Sequence, residues 1–354
     1  MKKLKIAVVG VGGISQNHIE SYMRLDNVEV YAFCDINEET LNKKGKKYGV
    51  TRLYTDEKKM LEELPEIDAV SVCTWNSAHA PCTIMALNAG KHVLCEKPMA
   101  MNAMEAEEML AAAKKNNRKL MIGFVRRFGN DTKVVKDFLN ADAIGEIYYA
   151  KTTYIRRRGN PGGWFGDKSR SGGGPLIDLG VHVIDLTRYL MGNPKPVSVY
   201  GVTFHKLGHD TNLKRKVSYG RISSPDDICD VEDMVNALVR YDNGAVLSIE
   251  ASFSLNVKQD SGKIELFGTK GGISLDPEFE LYTDMNTYLA NVTLDIPTAL
   301  SFDGLFDNEI KYFVDSLIED RDLTSIAEDG IEIMRIIDAV YESANTNSEV
   351  KINY

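Results

Sequence analysis

Residues 4–15 read LKIAVVGVGGIS, and this stretch decides how the first part of the chain folds. A run of branched apolar residues ends abruptly in glycines at 10, 12 and 13, and helical spacing begins at Ser15. That order specifies a strand, a tight turn and a helix start, and an apolar run without alternation suits a strand covered on both faces. Four more such runs follow, at 28–33, 69–73, 92–95 and 119–123, with segments of helical spacing between them. The segment after Pro98 carries its own start signal, Asn102 with Glu105 three residues on, then Met109, Leu110 and Ala113 on one side. Strands alternating with helices imply right-handed crossovers, so residues 1–123 are expected to form a doubly wound parallel sheet of the α/β Rossmann type.

After Phe124 the pattern changes. An amphipathic segment to Leu139 leads into a strand expected over 147–155, then a loop rich in Gly and Arg reaches Gly174, and a helix is expected over 175–191. Alternating runs at 235–241 and 245–253, joined through Asp242-Asn243-Gly244, form a hairpin signal, repeated at 263–267 and 273–275. Helices near 306–319 and 327–344 close the chain. Residues 124–354 are therefore expected to be an α+β domain on a large open antiparallel sheet.

Two domains suit a length of 354 residues. No stretch of eighteen apolar residues could span a bilayer. The opening MKKLKI resembles the start of a signal peptide, but its apolar run ends in glycine without a small-residue cleavage site, so it reads as a strand. The cysteines Cys34, Cys73, Cys82, Cys95 and Cys229 are odd in number and lack metal-ligand spacing, which points to a reducing cytoplasm. A net charge of -9 argues against a nucleic-acid partner.

Gly10, Gly12, Gly13, Ile14 and Ser15 make a G-x-G-x-x-S version of the dinucleotide fingerprint. Gly10 permits the turn, Gly12 lets backbone approach a pyrophosphate, and the small Ser15 allows close helix packing. Asp35 ends the second run twenty residues beyond Ser15, where an acid accepts from ribose hydroxyls and repels a 2′-phosphate, so NAD is expected over NADP, with NADP possible where neighbouring side chains override one acid. Lys97 follows the 92–95 strand at the carboxyl edge of the sheet, where open α/β folds bind ligands. Asp178 and His182 stand four apart on one face of the helix that Pro175 starts. Taken singly, the lysine has the plain reading of a surface residue, and an early-turn acid and a lone histidine are more often a helix-dipole partner and a core residue. Two ligands at helical spacing do not make a zinc site, so no metal is expected.

Together these pieces resemble the Gfo/Idh/MocA oxidoreductase family, the glucose-fructose oxidoreductase and inositol 2-dehydrogenase relatives. The resemblance runs through GVGGIS, CTWNSAH, CEKPMA, GFVRRF, GGGPLIDLGVHVIDL, the DVED segment at 230–233, ELFGTKGG and DAVYESA. It implies that Lys97 and His182 face the nicotinamide and the substrate carbinol, with Asp178 beside them. Oxidising an alcohol removes a proton as hydride leaves carbon, and His182 suits the role of base, although Lys97 could take it. Lys97 as an ammonium can steady alkoxide charge, and Asp178 can hold the hydrogen-bond network or another hydroxyl. The resemblance further implies Thr74, Asn76 and His79 along the dinucleotide groove, Glu96 on the nicotinamide ribose side, and Arg126 near cofactor or substrate, unless Arg126 serves in a salt bridge. Trp75 and Val125 depart from the family pattern, which usually has Pro and often Asn at those positions.

The loop before the helix holds Arg156, Arg157, Arg158, Trp164 and Arg170. An aromatic face suits a pyranose or cyclitol, and arginines suit a carboxylate or phosphate, with Arg156 and Trp164 the candidates; the plain alternative is a solvated loop. The family context implies oxidation of a secondary hydroxyl of a sugar, sugar acid or inositol. Two other readings stay open, an NAD-dependent glycosidase acting by transient oxidation and elimination, and an NAD-binding sensor without catalysis. The antiparallel sheet is expected to support a homodimer or homotetramer.

Overall fold

Leu4–Val9, the strand that opens the chain, becomes β1 at the centre of a six-stranded parallel sheet, with Ile6, Ala7 and Val8 buried from both faces. The computed structural model describes residues 3–207, 228–275 and 277–354. The chain divides into two units, Met1–Val125 with Asp303–Ile331, and Arg126–Phe302 with Glu332–Tyr354.

In the first unit β2 (Val28–Cys34), β3 (Leu53–Tyr54), β4 (Ala69–Val72), β5 (His92–Glu96) and β6 (Leu120–Gly123) join β1 in the order β3-β2-β1-β4-β5-β6. All neighbours run parallel. This doubly wound order leaves a crevice at the carboxyl ends where the winding reverses beside β1. β3, two residues long, is too short to leave a periodic signal in the sequence. The helix after Pro98 spans Ala103–Asn116, and Asn102 caps it by accepting from the Glu105 amide at 2.9 Å while the Glu105 carboxylate accepts from the Met101 amide at 3.1 Å. The unit also includes the helix Leu305–Ile318. Asp307 there accepts from the Ser21 hydroxyl at 2.5 Å and from Arg24 at 2.6 Å, and Ser325 exchanges hydrogen bonds with the backbone of Ile122 in β6. These bonds explain why 303–331 belongs with the first unit although the change of sequence pattern near 123 is the only boundary visible in the chain.

In the second unit β7 (Ile147–Ile155), β8 (Pro196–Phe204), β9 (Met234–Tyr241), β10 (Val246–Ser252), β11 (Ser261–Gly268), β12 (Gly272–Leu275), β13 (Glu280–Met285), β14 (Tyr288–Val292) and β15 (Val350–Lys351) form one sheet in the order β14-β13-β12-β11-β7-β10-β9-β8-β15. Both expected hairpins form, and Gly244 turns the first with φ +86°. The sheet is antiparallel except for β7 against β10, a parallel pair that requires a crossover. The crossover carries the segment with Asp178 and His182 onto the sheet's inner face, against β7 and β10. Register puts Val199, Val239, Leu247, Ala150, Leu266 and Ile273 in one buried cross-strand row. Tyr200 and Leu238 pair on the opposite, exposed face. Among the described residues no helix is long and apolar enough to cross a membrane.

Candidate active site

The glycine loop divides its labour between folding and leaving room. Gly10 has φ +82°, and a Cβ there would stand 2.7 Å from the backbone of Cys73 and Thr74, so only glycine fits. Gly12 and Gly13 have no positive φ, and a Cβ on either would meet nothing within 4 Å. Nothing in the fold asks for glycine at these two positions, which is the signature of a cradle kept clear for a ligand. Ser15 is buried at the head of the helix Ser15–Met23 and donates to the Gly12 carbonyl at 2.9 Å. Asp35 accepts from the Val11 amide at 2.8 Å on one oxygen and from the Asn37 amide at 2.8 Å on the other. Each oxygen keeps a second lone pair for a ribose hydroxyl. The residues present therefore fit a dinucleotide, with the loop amides and helix start for the pyrophosphate and Asp35 for the adenine ribose.

At the end of β5, Lys97 is half-buried and its amide donates to the Glu96 carboxylate at 3.2 Å. Glu96, expected on the ribose side, instead turns inward: its other oxygen lies 2.7 Å from Nε2 of the fully buried His18. Burial would raise the Glu96 carboxyl, but the His18 bond and the charges of His18, Lys97 and His79 outweigh it and hold it below the usual range. Behind His18, its Nδ1 lies 3.2 Å from the Ser71 hydroxyl, which is 2.9 Å from the Tyr22 hydroxyl. Tyr22, Ser71, His18 and Glu96 thus form one unbroken buried row of hydrogen bonds. Glu309, on the same unit, is buried with no hydrogen-bond partner for either oxygen, and burial together with the Glu96 charge pushes its carboxyl well above the ordinary range.

His79, expected along the groove, is buried, with Nδ1 2.7 Å from the Pro98 carbonyl and Nε2 3.2 Å from that of Thr74. Burial holds its ring below the ordinary histidine range against the pull of those two carbonyls. It joins the loop after β4 to the Lys97-Pro98 turn, so it shapes the groove from beneath. Asn76 begins the helix Asn76–Asn88 and is also buried, while the Thr74 hydroxyl donates to the Trp75 carbonyl at 3.2 Å.

In the second unit, the helix expected over 175–191 proves to be two pieces, a π-helical turn Leu176–Gly180 and an α-helix Val181–Leu190. Asp178 is buried in the π turn and His182 is half-buried in the first turn beyond it. The wider winding changes where Asp178 projects relative to a plain α-helix, and such turns recur at functional sites. Arg126 is buried and bonded to Asp131 at 3.2 Å, and Arg127 grips Asp185 through two nitrogens, at 3.0 and 2.5 Å. Arg156 is buried and donates to the Gly159 carbonyl at 3.0 Å, Arg157 donates to that of Lys258 at 3.0 Å, and Arg158 donates to the Asn256 side chain at 2.6 Å. Trp164 stacks on Phe165 at 3.9 Å. These three arginines bond to backbone carbonyls and an amide side chain of their own unit, and Arg156 is buried, so the loop is not the solvated one of the plainer reading.

Three residues to which motif reading gave no role stand out. His18 falls on the buried stripe Ser15, His18, Ile19, Tyr22 of its helix, and Glu309 on the buried stripe Leu305, Glu309, Phe313, so a polar residue on an apolar stripe was the available signal. Glu232, in the DVED segment, is buried against the start of the π turn, and no local pattern marks it.

Residues 4–124 match a family described as oxidoreductase family, NAD-binding Rossmann fold, and residues 136–352 match its C-terminal alpha/beta domain. D-glucoside 3-dehydrogenase of Escherichia coli (strain K12) is 33% identical over 353 residues, 99% of this chain and 97% of that protein. Myo-inositol 2-dehydrogenase of Thermotoga maritima is 30% identical over 275 residues, 77% of this chain and 75% of that protein. Among solved structures, levoglucosan dehydrogenase in complex with NADH and L-sorbose superposes with a TM-score of 0.86 at 25% identity, covering 100% of both chains.

Proposed function

The chain belongs to the Gfo/Idh/MocA oxidoreductase family, and from that membership we propose an NAD-dependent dehydrogenase that oxidises one secondary hydroxyl of a sugar, sugar acid or inositol. The observation that carries this reading is the glycine loop with Asp35 on a doubly wound sheet; it is supported by Lys97 at the carboxyl end of β5 in that unit and, in the second unit, by Asp178 and His182 on the π turn and the helix after it. NAD, when bound, supplies the acceptor for the hydride leaving the carbinol carbon. The amides of residues 12–14 would hold its pyrophosphate, the Val11 amide being taken by Asp35, and Thr74 and Asn76 would line its groove. Asp35 supports NAD over NADP, because the following residues are Ile36 and Asn37 and offer no arginine to a 2′-phosphate.

In this reading His182 takes the hydroxyl proton, Lys97 orients the hydroxyl and steadies alkoxide charge as the C–H bond breaks, and Asp178 holds the hydrogen-bond network or another substrate hydroxyl. The products are the ketone, NADH and one proton, which leaves His182 for solvent. Likeness to D-glucoside 3-dehydrogenase makes D-glucosides the first compounds to try. A homodimer or homotetramer, joined through the exposed sheet face of Tyr200 and Leu238, belongs to the same proposal, as does a cytoplasmic setting.

The test is a panel of glucosides, free sugars, sugar acids and inositols followed by NADH absorbance, with NADP in parallel. At least one ring polyol is expected to reduce NAD, and His182→Ala to lower kcat by about a hundredfold or more. NAD binding without turnover of any member would overturn the dehydrogenase reading.

A further inference from the structure

We infer that Glu232, backed by Tyr341, is the positioning residue that sets the π turn carrying Asp178 and leading to His182, a role that rests on the dehydrogenase reading for its catalytic consequence. The first amides of any helix lack partners within it, and a carboxylate there both accepts from them and opposes the positive end of the helix. Glu232 does this with both oxygens. One accepts from the Gly174 amide at 3.0 Å, the other from the Leu176 amide at 3.2 Å and from the Tyr341 hydroxyl at 3.0 Å. The two amides flank Pro175, which has none of its own to offer.

The glycines before the turn are cut to this clamp. A Cβ on Gly174 would stand 2.4 Å from the Glu232 carbonyl, and one on Gly173 would stand 2.0 Å from the Tyr341 hydroxyl. Only a bare backbone brings the amides within reach of the carboxylate. The flanking acids anchor Glu232 in turn. Asp230 accepts from the Lys168 amide at 2.7 Å, and the Asp233 carboxylate accepts from the amides of Lys206 and Leu207. Because Glu232 is buried, its carboxylate has little water to fall back on, and the turn's start is held in one place. The clamp thus gives a common purpose to three stretches far apart in sequence: GGGP, DVED and the Tyr341 helix.

Glu232→Gln keeps the shape but turns one acceptor into a donor, so one of the two amides must lose its partner. Hydrogen exchange over 172–185 in Glu232→Gln is expected to quicken at least tenfold, and by more than exchange over β1–β6 in the same protein. In the same protein kcat is expected to fall at least tenfold while the dissociation constant for NAD stays within twofold, because the glycine loop lies in the other unit. Glu232→Asp, one carbon shorter, should lie between. Tyr341→Phe should cost a few-fold in kcat in the native background and almost nothing added to Glu232→Gln. Unchanged exchange over 172–185 in a folded Glu232→Gln protein would overturn the clamp. So would native kcat, or a loss of NAD affinity equal to the loss of kcat. Should the native enzyme turn over no polyol, the dehydrogenase reading fails, and the exchange measurement still decides the clamp.

Discussion

Gly10 and Gly12 stand two residues apart in one loop, and substituting each with alanine should break different properties of the protein. At Gly10 the backbone is left-handed, φ +82°, which costs an L residue about 1–2 kcal/mol. Its Cβ would also lie 2.7–2.8 Å from three backbone atoms of Cys73 and Thr74, which cannot swing aside as a side chain could. Overpacking of that kind adds about 1–3 kcal/mol, so Gly10→Ala should lose roughly 2–5 kcal/mol of stability. At Gly12 a Cβ meets nothing within 4 Å and the backbone is not left-handed, so Gly12→Ala should leave stability unchanged or raise it by about 0.4–1 kcal/mol through the unfolded chain. The methyl group would nevertheless stand in the space proposed for the pyrophosphate. A loss of at least tenfold in NAD affinity is expected, equivalent to about 1.4 kcal/mol. Urea unfolding and calorimetric titration with NAD, run on both variants, measure the two effects separately. The reasoning fails if Gly12→Ala binds NAD within twofold of the native protein, or if it unfolds as readily as Gly10→Ala.

Glu57, buried at the start of the helix Glu57–Glu63, should make stability fall as pH rises. Burial raises its carboxyl from 4.5 to about 7, so the folded protein holds a proton that the unfolded chain releases, and its stabilising share is full below 4.5 and lost through 7. Linkage gives about 1.4 kcal/mol per pH unit, roughly 3 kcal/mol in all, and Glu57→Gln should flatten that slope in urea titrations between pH 5 and 8; an unchanged slope would refute the assignment. Arg127→Met leaves the carboxylate of Asp185 buried without its ion-pair partner and should cost about 3–5 kcal/mol, most of it recovered in Arg127→Met with Asp185→Leu, as read by unfolding midpoint. Asp35→Ser should weaken NAD about tenfold or more and narrow the gap to NADP in direct binding assays. Equal losses for both cofactors would argue that Asp35 serves only to brace the Val11 amide.

What the chain announces by itself is local. The run from Leu4 to Ser15 carries strand, turn and helix in its own residue order, and the apolar runs alternating with helical segments after it call for a parallel sheet covered on both faces, which the glycine fingerprint makes doubly wound. Hairpins at Asp242-Asn243-Gly244 and at 269–272 are likewise written in turn residues that only those geometries need. Resemblance then brought Lys97, Asp178 and His182 forward. Tertiary structure decided whatever depended on partners distant in sequence. That β10 lies parallel to β7 follows from a crossover, not from either strand. The carboxylate of Glu96 meets the buried imidazole of His18, 78 residues away in sequence. Arg156, proposed from its chemistry as a substrate residue, is held by the Gly159 carbonyl. The π turn exists where Glu232, 58 residues beyond Gly174, meets two amides that no local pattern would have paired with it. Periodicity records which face of an element is buried, and it is silent about which polar groups find each other there. That pairing is settled only when separate stretches of chain pack together, because a buried donor or acceptor left unmatched costs more than the bond it makes is worth.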